Sequence, residues 1–180
     1  RVDEAMADEA VQAGDRVSVV ATLRTTVRPT AALLRERAEL LYLGEAVAHR
    51  SCGIALAETF GVPPRSYQAL RRGGLTGEGT CGALQAGVLL LGELLGDPDL
   101  TAPPTTELKD AVARYRAAIA AEAGGTPDDS CNRRTERFPA FSSRPRLVAC
   151  TALAGIAAAG VAGVLWDLER TVVIQAAPER

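Results

Sequence analysis

Apolar residues recur at three- and four-residue steps through most of the chain, a period that predicts helices and not strands. From Pro29 or Thr30 to about Phe60, Leu34, Ala38, Leu41, Ala48, Cys52, Ala55 and Thr59 share one face. With Pro29 near its first turn, this reads as one long helix. Arg35, Arg37, Glu39 and Arg50 lie off the stripe and need be only a solvated face. Glu45 falls on the stripe, and His49 stands three residues before Cys52, about 60° round a helix. Glu45, His49 and Cys52 are therefore expected along one side. Gly61 and the pair Pro63 and Pro64 end the helix, and a short helical turn is expected over 66–71.

A glycine-rich loop follows, with Gly73, Gly74, Gly77 and Gly79, and runs into Thr80 as an expected N-cap. The next helix, ending at Gly96, carries Cys81, Leu84, Val88, Leu91 and Leu95 on one stripe, while Ala83, Ala86 and Gly87 allow another helix to come close. Thr105 or Thr106 is placed to cap a further helix over 107–121, whose apolar positions are Leu108, Ala111, Val112, Tyr115 and Ile119. Residues 124–146 read as a polar, irregular loop around Cys131. That loop is long for a compact domain, and a covalent or metal tether at Cys131 would explain its order.

Residues 147–166 hold no charged side chain and are long enough to span a bilayer, with Arg144 and Arg146 before them and Trp166 at the end. Their composition is mostly alanine and glycine, with Gly155, Ala159 and Gly163 at four-residue steps, which favours a buried helix in close contact with others over a membrane span. The expected fold is thus all-α: a compact helical bundle of about four main helices over 29–169. An N-terminal arm, 1–28, and a C-terminal tail, 170–180, flank it. Val172, Val173 and Ile174 in the tail lean extended.

Composition changes this picture little. At 180 residues and 47% hydrophobic the chain can bury a core, and a net charge of −2 gives no reason to expect a nucleic-acid partner. Lys109 is the single lysine among many arginines. The glycine loop lacks the lysine and hydroxyl pair of a phosphate-binding loop. No second histidine accompanies His49, and no serine is marked as the nucleophile of a triad, so a hydrolytic or other stand-alone enzyme is not expected. The absence of an initiator Met suits an exported or organellar protein, an address in which disulfides persist.

The chemistry rests on Cys52, Cys81, Cys131 and Cys150. No two lie at a C-x-x-C distance, so no zinc-finger, ferredoxin or thioredoxin spacing is present. Two disulfides in any of three pairings, or one four-thiolate site built from distant segments, both remain open. Cys81 falls at the start of a helix, where free N–H groups and the helix dipole favour the thiolate that binds metals and attacks disulfides.

The order of these residues resembles the C-GCAxxG-C-C family of four-cysteine proteins, to which redox activity is ascribed. The matching positions are Cys52 in Ser51-Cys52-Gly53, Cys81 in Gly79-Thr80-Cys81-Gly82-Ala83-Leu84-Gln85-Ala86-Gly87, then Cys131 and Cys150. Thr80 replaces the glycine before the cysteine, Gly82 stands where the family name has alanine, and the closing glycine arrives at Gly87. The resemblance covers about 40–168. It implies a small helical domain whose four cysteines form a redox or metal site, with an iron–sulfur cluster as the expected occupant, because a related segment is joined to split-Soret cytochromes.

Three functions are accordingly expected. The first is electron transfer through an iron–sulfur or other metal site held by Cys52, Cys81, Cys131 and Cys150. Structural or redox-active disulfides among the same residues are the second. A third is a non-catalytic accessory subunit of a larger redox or bioenergetic complex, bound to its redox partner protein or to a membrane through 147–166.

Overall fold

The structure, a computed structural model, describes residues 27–124 and 129–168. Among the described residues, six α-helices and one 3₁₀ turn form an all-α bundle. They are α1 Val27–Leu43, α2 Cys52–Thr59, the 3₁₀ turn Ser66–Leu70, α3 Gly82–Leu95, α4 Thr106–Ala123, α5 Cys131–Thr135 and α6 Arg144–Asp167. The expected arm and tail lie outside the described residues, apart from 27 and 28, which already belong to α1. The extended segment expected at Val172 to Ile174 is likewise outside them.

The long helix expected from Pro29 to Phe60 is two helices. Gly44 takes a positive φ of 75°, and a Cβ there would come within 2.7 Å of the Cβ of His49, so the chain folds back on itself where only glycine fits. The Arg50 N–H then donates to the Leu41 carbonyl at 2.8 Å, and the Arg50 guanidinium pairs with Glu58 at the same distance. The chain restarts as α2 at Cys52, whose own φ is 39°. Five longer helices therefore build the bundle where the hydrophobic period had suggested four.

At the centre lies α6, which packs most extensively along α1 and also against α4, α3 and α2. Its small residues explain the close approach. Ala154, Ala157 and Ala158 are fully buried, and a Cβ on Gly155 would meet the Glu39 carboxylate at 2.2 Å. By length and mean hydropathy, 2.1, α6 could cross a membrane, yet half of that apolar stretch is buried among the other helices. Leu34 and Leu41 of α1, Leu56 of α2, Leu90 and Leu91 of α3, and Val161 of α6 complete the core at zero exposure. Between α3 and α4, the Tyr115 ring sits against Gly87, and its hydroxyl donates to the Leu84 carbonyl at 3.1 Å. Thr105 caps α4 as expected, accepting from the Leu108 N–H.

Candidate functional site

Four different elements deliver the four thiols to one half-open cavity of about 550 Å³. Cys52 opens α2, Cys81 is the N-cap of α3, Cys131 opens α5 and Cys150 lies in the second turn of α6. The glycine loop positions two of them. Its strand-like end pairs with the segment before α5 through an antiparallel bridge between Thr80 and Ser130. The Cys81 N–H donates to the Asp129 carbonyl at 2.8 Å, and the Cys131 N–H donates to the Gly79 carbonyl at 3.0 Å. Thr80 thus serves this clip and not, as expected, the helix cap.

Three of the loop glycines, Gly73, Gly77 and Gly79, are required by contact, whereas a Cβ on Gly74 would meet nothing within 4 Å. A Cβ on Gly73 would lie 2.8 Å from the Cβ of Cys131, and one on Gly77, whose φ is 89°, would lie 2.0 Å from Oδ1 of Asn132. A Cβ on Gly82 would strike the Leu70 carbonyl at 2.1 Å and approach the Cβ of Cys52 at 3.1 Å. Backbone therefore replaces side chain where the loop meets α5 and where α3 meets the Cys52 end of α2. The clip also explains how the segment around Cys131 is held without a covalent bond. Ser130 caps α5, and Arg134 joins Asp129 at 2.6 Å and the Gly124 carbonyl at 3.2 Å.

All four cysteines are free thiols. Cys81 receives the Ala83 and Leu84 N–H groups expected at a helix start, but burial dominates and pushes its thiol up to about 12. Exposure of only 8% makes the reason plain: losing water costs the anion more than two N–H dipoles return. Burial also raises Cys52, against the Arg72 backbone N–H and the Tyr42 hydroxyl, which both donate to its sulfur. Cys131 is raised by burial too, opposed by the Arg146 and Arg72 charges. In the absence of a bound cation or cluster, these are protonated thiols, where the helix start alone would favour thiolate.

Glu45 and His49 do not join this group. Both are exposed on the turn between α1 and α2; Glu45 pairs with Arg144, and His49 turns its ring nitrogen to the Tyr42 carbonyl. The break at Gly44 is what removes them from the face they would share with Cys52 on a continuous helix. Tyr42 itself was not singled out by the sequence, yet it lines the cavity with Cys52 and Cys150. Its place ten residues before Cys52 carries no periodic signal. Arg146 does: four residues before Cys150, it shares that helix face, and its Nη1 donates to the Tyr42 hydroxyl at 3.3 Å.

No three His, Cys, Asp or Glu side chains among the described residues converge closely enough for a single metal ion. The four cysteines line one cavity as sulfur donors without forming such a group. Comparisons with protein-family models, with curated proteins and with solved structures gave no match.

Proposed function

We propose that this chain is a redox protein whose four cysteines hold an iron–sulfur cluster for electron transfer. One observation carries the reading: Cys52, Cys81, Cys131 and Cys150, from four elements and nearly a hundred positions, line the same cavity. When bound, the cluster supplies a one-electron couple. The chain's part is to hold four sulfurs in place by the glycine clip, to exclude water with Ala83, Leu153 and Ile156, and to stabilise sulfur charge with the N–H groups of Ala83 and Leu84, the Tyr42 hydroxyl and Arg146. The order of the cysteines, resembling the C-GCAxxG-C-C pattern, points the same way.

Anaerobic purification tests this. Iron and acid-labile sulfide are expected in the protein, with loss of most iron on replacing any one of the four cysteines by serine. A colourless preparation with four free thiols, or with two intact disulfides, contradicts it. Thiol–disulfide chemistry is a second reading, because Cys52 and Cys150 line the same cavity as free thiols. Thiol titration with and without reductant, followed by peptide mapping for a bond between Cys52 and Cys150, identifies that case.

A further inference from the structure

We propose that the mouth of the thiol cavity is a docking surface for an acidic electron-transfer protein. The inference deepens the redox reading and rests on it. Arginines crowd in and around this mouth, and half of the six are neutralised locally: Arg133 pairs with Glu136, Arg134 with Asp129 and Arg144 with Glu45. Glu122, the carboxylate that lines the cavity, is taken by Arg35 at 2.6 Å.

Arg72, Arg137 and Arg146 are different. None has a carboxylate partner among the described residues, and each lies over an aromatic ring: Arg72 and Arg146 over Phe141 at 5.2 and 4.3 Å, Arg137 over Phe138 at 4.9 Å. Ring stacking fixes a guanidinium in place without cancelling its charge. Arg72 and Arg137 are exposed, as is Phe141 at 46%. Arg146 answers the sulfur charge inside the cavity, so the positive charge left to face solvent beside the four thiols is that of Arg72 and Arg137, on a chain whose net charge is −2. Exposed aromatic and arginine side chains are the composition of an interface core, and a fixed patch of one sign steers a partner of the other sign to the place where an electron must cross.

Binding, measured on the full chain by titration with an acidic [2Fe–2S] ferredoxin and with a basic cytochrome c, tests the surface. Ferredoxin is expected to bind at low ionic strength and to weaken ~10-fold or more at high salt. Cytochrome c is expected not to bind. Arg137→Glu and Arg72→Glu should each weaken ferredoxin binding ~10-fold, and the double variant further, with Arg137→Gln giving a smaller loss; far-UV circular dichroism reports whether each variant is folded. No ferredoxin binding, binding insensitive to salt or to the folded arginine variants, or equal binding of cytochrome c overturns the proposal. Because docking is read as association and not as electron flow, iron and sulfide assays on the same samples report separately on the four-thiol reading.

Discussion

Glycines show the molecule's tolerances at the scale of single residues. Gly87 faces the Tyr115 ring, where a Cβ would come within 2.2 Å, whereas a Cβ at Gly163 meets nothing within 4 Å. Gly87→Ala should thus cost ~1–3 kcal/mol through overpacking, while Gly163→Ala should stabilise by ~0.5–1 kcal/mol by making the α6 backbone stiffer. Urea denaturation of both variants checks the opposite signs. Titration gives a second expectation. Burial raises the Tyr67 phenol to about 12 and raises Tyr115 as well, so the folded state prefers both neutral. A folded pKa above the unfolded one means that this stability is complete below ~10 and is lost as pH rises toward the folded values. Denaturation midpoints should hold near neutrality and fall steeply between pH ~10 and 12, and a flat profile there would contradict the burial of these rings.

Among the elements, those with a clear period and a cap were legible in the sequence. The helix α3 forms behind Cys81 with the expected stripe, of which Leu84, Leu91 and Leu95 are buried and Val88 partly so, and α4 forms behind Thr105; the apolar α6 forms too, starting at Arg144 inside the stretch read as an irregular loop. Thr105→Ala is expected to lower stability by ~1 kcal/mol, since the Leu108 N–H loses its acceptor. What was not legible depended on contacts made through space. The apolar period continues across 44–51, so nothing local announces that Gly44 turns the chain and carries Glu45 and His49 away from Cys52. The glycine loop is visible as a loop, but its partner, the segment 129–132, lies some fifty residues on. Gly77→Ala probes that clip. A methyl group at positive φ, in collision with Asn132, should cost ~1–3 kcal/mol and release Cys131, which should then alkylate faster than in the native protein.

For the whole molecule, the four cysteines were legible as an order but not as a place. Their spacing matches no local ligand motif, and only the packing of α1, α2, α3 and α6, together with the clip to α5, brings them to one cavity. Tyr42 and Phe141 became visible only with that packing, whereas Arg146 shares a helix face with Cys150 by its spacing. On the redox reading proposed above, these sulfurs work as one site. Its most direct test is the sulfur geometry in a crystal of anaerobically prepared protein, with iron and sulfur located by anomalous scattering. The account predicts all four sulfurs ligating one polynuclear iron–sulfur centre in the cavity beneath Tyr42 and Arg146. Four sulfurs in separate surroundings, joined neither to a metal centre nor to one another, would contradict it.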